Sequence, residues 1–245
     1  MDMELSGQVA LVTGSTSGIG RAAARLLAAD GAEVVVTGRD AARGAETVAE
    51  IEADGGRARF VAVDLADVTS VRRLADAAGE VDVLVNNAGI FPFAPTLEQD
   101  PAGYEKLFDV NVRALFFLTA AIVPAMIAKG AGAIVNVSSN ITGLGVPGGA
   151  VYSATKGAVE ALTRTWAVEF GGHGVRVNTV SPGPTLTETV KATTAEIAEQ
   201  QGKVSALGRA AAPQEIAEAV RYLASPRATY VTGATLVVDG GRLIV

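Results

Sequence analysis

The chain has 245 residues, 49% of them hydrophobic and 19% charged, with a formal net charge of −6 at pH 7 and a pI near 4.9. That length and apolar content suit one α/β domain with a large buried core, while the negative balance argues against nucleic acid and anionic membrane surfaces, which attract basic patches. Cysteine is absent, so disulfides, thiolate metal sites and a thiol nucleophile are excluded; with the single histidine, His173, no metal centre is expected.

The start, Met1-Asp2-Met3-Glu4-Leu5, lacks the basic flank and apolar core of a signal peptide. No charge-free apolar stretch reaches the ~18 residues of a bilayer span. A cytoplasmic protein without membrane contact is expected.

Val9-Ala10-Leu11-Val12-Thr13 is a short, β-prone apolar run that stops at Gly14-Ser15-Thr16-Ser17-Gly18-Ile19-Gly20. It passes into Arg21-Ala22-Ala23-Ala24-Arg25-Leu26-Leu27, rich in helix formers. Strand, glycine-rich turn and helix in that order make an anion site. Glycines permit the tight turn and a close backbone approach to a diphosphate, and the unpaired N–H groups of the helix start face it. Gly14, Ser15, Ser17, Gly18, Ile19 and Gly20 are the candidate diphosphate-binding residues. Their spacing, Gly14-x-x-x-Gly18-x-Gly20, differs from the common Gly-x-Gly-x-x-Gly fingerprint.

Further buried strands are predicted at 34–36, 60–63, 81–85, 133–137, 175–180 and 235–238, which makes seven with the first. Helical patterns lie between them at 41–53, 67–78, 102–128, 151–171 and 213–224, with Pro124 a potential kink inside the longest. Alternating strands and helices imply an α/β fold, a doubly wound seven-stranded parallel sheet with helices on both faces. No composition shift marks a second domain, so 1–245 reads as one. Residues 184–206, rich in Thr, Ala and charge, are expected to form a mobile lid.

The end of the second strand reads Val36-Thr37-Gly38-Arg39. A carboxylate at this place commonly holds the ribose 2′-hydroxyl of NAD, whereas an arginine accommodates the 2′-phosphate of NADP. Gly38 stands where the carboxylate would be, and the Arg39 guanidinium suits phosphate oxygens. NADP is therefore favoured, with NAD the alternative if Arg39 only opens a solvated turn before Asp40.

Tyr152 and Lys156 lie four residues apart, on one face of a predicted helix. A phenol titrates near 10, and a neighbouring cation is expected to draw it toward the working pH, making Tyr152 an acid–base group. Ser139 closes Asn136-Val137-Ser138-Ser139 at the end of a buried strand, where a hydroxyl can hold a substrate oxygen.

The series Thr13-Gly14-x-x-x-Gly18-x-Gly20, Asn86-Asn87-Ala88-Gly89, Asn111, Ser139, Tyr152-x-x-x-Lys156 and Ser181-Pro182-Gly183, in order along nearly the whole chain, resembles the short-chain dehydrogenase/reductase family. The resemblance implies a Rossmann-type domain. It also implies hydride exchange between a nicotinamide and a carbonyl or alcohol, with Asn111, Ser139, Tyr152 and Lys156 as a catalytic tetrad. By the same resemblance Lys156 also holds the nicotinamide ribose, and Asn111 holds a water in a proton relay to that lysine. Asp64 with Leu65 would contact the adenine, Asn86, Asn87, Ala88 and Gly89 would follow the fourth strand at the cofactor, and Pro182, Gly183 and Thr187 would lie near the carboxamide. Residue chemistry leaves other roles open: Asp64 as a cap for the helix starting near Asp67, and Asn86 as a partner for turn backbone.

Phe91 and Phe93 after the fourth strand, and Asn140, Ile141, Thr142 and Pro147 after the fifth, are candidates for the substrate pocket. They are mostly neutral and include no arginine, which disfavours a strongly anionic substrate. Small free ketones, aldehydes or secondary alcohols are the preferred substrates. The alternative is a 3-oxoacyl-ACP reductase, which by resemblance docks its acidic carrier through arginines at places occupied here by Gly130 and His173, with Lys129 and Arg176 nearby. A non-catalytic nucleotide-binding scaffold or sensor is the remaining alternative, although Ser139, Tyr152 and Lys156 are all retained. Apolar excess in 102–128 and 151–171, including Trp166, points with the family's habit to a homotetramer or dimer. His173, in a glycine-rich loop, reads as a surface cap.

Overall fold

The structure is a computed structural model that describes residues 3–245. Seven strands, β1 (Val9–Val12), β2 (Glu33–Gly38), β3 (Arg57–Ala62), β4 (Val83–Asn86), β5 (Gly132–Val137), β6 (Val175–Pro182) and β7 (Thr235–Val238), form one parallel sheet in the order β3-β2-β1-β4-β5-β6-β7. Order reverses between β1 and β4, and the crevice at the carboxyl ends of such a switch point is where open α/β sheets bind ligands. Most expected strands are found with shifts of one to three residues at their ends. β3 starts earlier than its apolar run because Arg57, Ala58 and Arg59 already pair with Glu33, Val34 and Val35 of β2, and the Arg59 guanidinium donates to the carbonyls of Ala77 and Ala78, at 2.9 and 2.8 Å.

Successive side chains point to opposite faces, so each central strand feeds two cores. Ala10, Val12, Val34, Val36, Val83 and Val85 pack on one side, under helices α1 (Gly18–Ala29) and α9 (Pro213–Ala224). Leu11, Val35, Leu84 and Ile134 pack on the other, under α3 (Val68–Ala78), α5 (Ala114–Lys129) and α6 (Ala150–Gly171). Leu11, Leu84 and Ile134 are essentially sealed from water, each contributing about 2 kcal/mol by burial. Arg221 on α9 donates to the buried Asp30 carboxylate just past α1, 2.6 Å for Nε to Oδ2, locking these helices at the back of the nucleotide face.

The helix expected over 102–128 is built from three pieces: α4 (Pro101–Phe108), a π-helical turn (Asp109–Arg113) and α5. Pro124 lies within α5 and does not end it. By length and composition, Pro101–Lys129 could cross a bilayer, yet Leu115, Leu118, Ile122 and Met126 are buried against the sheet, and a core helix meets the same criterion. Residues 184–206 carry two short helices, α7 (Glu188–Thr193) and α8 (Ala195–Lys203), joined at Thr194.

Candidate active site

Helices α2 (Ala41–Ala53), α3 and α4 each close their own amino terminus with an aspartate, Asp40, Asp67 and Asp100. Helix α1 does not: Ser17 caps it in extended conformation without a side-chain hydrogen bond, and its first turn has no acidic residue. An anion-accepting end is thereby left at the switch-point crevice. Its turn is tight. Gly14 and Gly18 adopt φ of +64° and +55°, and a Cβ on Gly20 would stand 2.4 Å from the Gly14 carbonyl oxygen. Asn87 fixes this turn to the end of β4, its Nδ2 donating to the carbonyl of Thr13 at 2.9 Å while its N–H and that of Ala88 reach Thr13 Oγ1 at 3.0 and 3.1 Å. Ser15 is buried, with Oγ donating to Val12 and accepting from the Thr37 N–H, so its polar groups shape the turn from within. Ile19 packs on the core beneath α1.

Residues at the start of α7 reach the same place. The Gly18 N–H donates to Glu188 Oε2 at 2.8 Å, and the methyl of Thr187 covers Gly18 while its hydroxyl caps α7 at the Val190 N–H. Beside the turn, Arg39 is exposed and its guanidinium has no hydrogen-bond partner among the described residues. A Cβ on Gly38 would lie 2.7 Å from Thr16 Cγ2, so a side chain there needs Thr16 to move. Asp64 does not cap the following helix; Asp67 does, and the exposed Asp64 carboxylate accepts only the Ala66 N–H, leaving capacity beside the half-buried Leu65.

Asn86 departs from its expected place at the cofactor. Its side chain turns inward, where Nδ2 donates to Asn136 Oδ1 at 2.9 Å and Thr119 Oγ1 at 3.2 Å in a buried polar chain continuing through Thr163 to Thr179. Buried amides must find such partners, and the interior supplies them here. Gly183 lets the main chain pass Asp239, whose Cα would be 2.6 Å from a Cβ at that position, and places Pro182 at the end of β6.

Tyr152 and Lys156 occupy the first two turns of α6, and Lys156 Nζ sits 5.8 Å from the centre of the Tyr152 ring. The lysine is 4% exposed and donates to the Val137 carbonyl at 2.8 Å, just before the segment carrying Ser139. Asn111, in the π turn, acts as a strut: Oδ1 accepts from the Ile90 N–H at 2.8 Å, and Nδ2 donates to the Ile90 carbonyl and to Thr155 Oγ1. Gly89 lies between, since a Cβ there would stand 3.2 Å from Asn111 Oδ1 and 3.4 Å from Lys156 Nζ. All four tetrad candidates therefore converge on one end of the sheet.

The electrostatics correct one expectation. Burial pushes the Tyr152 phenol up to about 12, opposed by the smaller effect of its hydrogen bond with the Ser139 hydroxyl, and burial pulls the Lys156 ammonium down to about 8. In a buried site both charged forms are disfavoured, which is the direction both groups take here. Burial therefore favours the neutral phenol of Tyr152.

The mouth is apolar. Phe91 and Phe93 flank the Tyr152 ring with centroids 6.4 and 6.1 Å away, and both are partly exposed. Ile141 is buried beneath, and its side chain and the Phe93 ring both abut Gly149. Loop residues 90–97 and 139–149 contain no charged residue.

A family model described as enoyl-(acyl carrier protein) reductase matches residues 14–242. Cis-4-hydroxycyclohexanecarboxylate dehydrogenase of Sinomonas cyclohexanicum is 43% identical over 244 residues, spanning 97% of each chain. A solved short chain dehydrogenase/reductase family protein is 56% identical with a TM-score of 0.94, covering 99% of this chain and 100% of its own. This chain belongs to the short-chain dehydrogenase/reductase family. A gluconate 5-dehydrogenase from Burkholderia cenocepacia, solved with NADP and tartrate, also matches it at 35% identity and a TM-score of 0.92 over 100% of this chain and 98% of its own.

Being a short-chain dehydrogenase/reductase, the protein is an oxidoreductase acting on CH–OH or C=O groups. Its residues fit a nicotinamide dinucleotide: the glycine turn cannot accept side chains at Gly14, Gly18 or Gly20, and the open end of α1 already accepts a carboxylate oxygen. Sequence reasoning missed three features of this dehydrogenase/reductase. Thr155 braces Asn111, Glu188 reaches Gly18, and Glu160 binds the Ser138 and Thr142 hydroxyls. Glu160 alone left a signal, one helical turn beyond Lys156.

Proposed function

We propose that this protein is an NADP(H)-dependent oxidoreductase of small, uncharged ketones and secondary alcohols, alicyclic ones above all. The observation that carries the reading is the Tyr152 phenol, protonated by burial and flanked by Phe91 and Phe93 with Lys156 over its ring. Arg39 beside Gly38 supports NADP over NAD, as does the NADP in the gluconate 5-dehydrogenase neighbour. An alicyclic substrate draws support from the apolar mouth and from the cyclohexane ring in the name of the Sinomonas relative, and an uncharged one from the absence of any charged residue in loops 90–97 and 139–149.

A bound reduced nicotinamide supplies the hydride. Gly14, Gly18, Gly20 and Ser17 would receive its diphosphate, Asp64 and Leu65 its adenine, and Asn87, Ala88, Gly89, Pro182, Gly183 and Thr187 would line the way to the ring. Tyr152 gives its proton to the substrate oxygen as charge develops there, and Ser139 holds that oxygen by a hydrogen bond. Lys156 would hold the ribose and, beside the Tyr152 ring, would stabilise the transient phenolate. Asn111 fixes the Ile90 loop against α6 and keeps one Oδ1 lone pair for a relay water.

Free substrates are favoured over carrier-bound ones because the cations near the carrier-docking places are occupied. Lys129 pairs with Asp82, and the Arg176 guanidinium donates to the carbonyls of Leu223 at 2.8 Å and Ser225 at 3.1 Å. The chain works as a single domain, with 184–206 as its lid. A homotetramer or dimer would form across the open apolar groove of about 660 Å³ that Phe108, Val112, Phe116, Phe117, Ala158 and Leu162 line. Its place is the cytoplasm.

NADPH oxidation measured with cyclopentanone, cyclohexanone, a sugar ketone and acetoacetyl carrier protein tests this. Highest kcat/KM on the cyclic ketones is the expected result; a clear preference for the carrier thioester would overturn the reading.

A further inference from the structure

Glu160 lies on α6 one turn after Lys156 and takes no part in the chemistry described above. Its carboxylate faces the loop that delivers Ser139. Glu160 Oε1 accepts from the buried Ser138 hydroxyl at 2.9 Å and stands 3.0 Å from Thr142 Oγ1. The Thr142 hydroxyl is also 3.1 Å from the Ser139 carbonyl, so its one proton is shared between loop and helix. Two donors on either side of Ser139 therefore meet on a single oxygen.

This junction matters because β5 ends at Val137 and the last bond to β6 is from the Ser138 N–H to the Val180 carbonyl, 2.9 Å, so Ser139 is the first residue past the sheet. Ser139 is extended, φ −167° and ψ 146°, at the start of a short 3₁₀ turn over Asn140–Gly143. The Ser139 hydroxyl accepts a long bond from the Ile141 N–H, 3.3 Å, and meets the Tyr152 phenol, so keeping it on that phenol depends on how the backbone carrying it is held. Helix α6 carries Tyr152, Lys156 and Glu160 as one rigid body, so a tie from Glu160 sets Ser139 in the same frame as the proton donor. We infer that Glu160 is a positioning residue that aims the Ser139 hydroxyl at the substrate oxygen through Ser138 and Thr142.

An acceptor is needed, not a charge. Lys156 owes its lowered pKa to burial, so the Glu160 charge has no evident electrostatic task at that ammonium. Glutamine keeps an oxygen at the same reach and can accept both hydroxyls.

The inference rests on Ser139 holding the substrate oxygen, and the test separates the two. Steady-state kinetics on a turned-over ketone, with cofactor Kd measured calorimetrically, would compare Glu160→Ala, Glu160→Gln, Ser139→Ala and the pair Ser138→Ala/Thr142→Val. Glu160→Ala should lower kcat about ten- to hundredfold, as expected for a small misplacement of a catalytic group, with cofactor Kd changed less than about twofold. Glu160→Gln should restore most of kcat. Adding Glu160→Ala to the Ser138→Ala/Thr142→Val background should have little further effect, because the tie is already gone.

A normal kcat for Glu160→Ala beside an impaired Ser139→Ala would overturn the inference and leave the Ser139 role standing. Equal damage from Glu160→Gln and Glu160→Ala would overturn it in favour of charge. Full activity of Ser139→Ala would remove both. If Glu160→Ala does not fold, Ser138→Ala/Thr142→Val reads the same tie from the loop side: a kcat loss supports it and an unchanged kcat sinks it.

Discussion

Glu188 Oε2 accepts the Gly18 N–H at 2.8 Å, so a carboxylate from the start of α7 sits on the helix end that a cofactor diphosphate would use. Two anions cannot share one N–H and one dipole end. Cofactor binding therefore has to displace Glu188, and the contact weakens the apparent affinity by the free energy needed to break it.

Glu188→Gln should thus bind NADPH more tightly, by about three- to tenfold, the worth of one exposed charge-assisted hydrogen bond. Calorimetric titration of both proteins decides it. Weaker binding by the variant would show that Glu188 serves the bound state instead.

Tyr152→Phe removes the proton donor while leaving the ring between Phe91 and Phe93. Turnover should fall by about 10²–10⁴, the usual share of a general acid, with cofactor Kd almost unchanged. Because burial holds the phenol near 12, ketone reduction by the wild type should not lose this proton at neutral pH, whereas alcohol oxidation needs phenolate and should rise with pH. Stopped-flow rates across pH 6–9 would show a flat reduction beside an oxidation that rises with pH; a reduction that falls through this range would assign the acid elsewhere.

Lys156 carries a stability signature independent of activity. Burial lowers its pKa from 10.5 to about 8, so between those values the unfolded chain binds a proton that the folded chain has released. By linkage, the stability of the wild type rises with pH across that window, and this rise is absent from Lys156→Met. The difference in unfolding free energy between the two proteins should therefore shift in favour of the wild type by up to about 3 kcal/mol from pH 8 toward pH 10.5. Tyr152 titrates above this range in the folded protein and is common to both, so it largely cancels. Urea unfolding at several pH values measures the shift, and a flat difference would mean that Lys156 titrates normally.

The sheet was legible because strands buried on both faces, such as Val34 to Val36, leave unbroken apolar runs between glycines and helical stretches. Tyr152, Lys156 and the glycine turn were legible through spacing alone. Contacts that depend on distant segments left no such trace. Glu188 meets Gly18 from far along the chain, and Asn86 turns inward because Thr119 and Asn136 happen to supply its hydrogen bonds. The π turn at Asp109–Arg113 adds its irregularity without interrupting the apolar pattern on either side, so a continuous helix was the natural expectation. The upward shift of Tyr152 was invisible for a related reason: spacing places a cation beside a phenol, whereas burial, which decides the sign, is a property of the packed site.

Coenzyme choice gives the last test, because Gly38 and Arg39 act together. Arg39→Ala should weaken NADPH binding by about ten- to a hundredfold and leave NADH nearly untouched, since only the 2′-phosphate meets the guanidinium. The single change Gly38→Asp should not by itself create an NADH enzyme: its Cβ would stand 2.7 Å from Thr16 Cγ2 and 3.0 Å from Thr16 Oγ1, so the new carboxylate enters only if Thr16 yields. Gly38→Asp combined with Thr16→Ala removes that obstacle and adds a charge that repels the phosphate and accepts the ribose hydroxyl. The combined variant should prefer NADH while Gly38→Asp alone loses affinity for both coenzymes. Dissociation constants for NADPH and NADH across the three proteins would settle it, and an unchanged NADPH to NADH ratio in Arg39→Ala would remove Arg39 from the phosphate site.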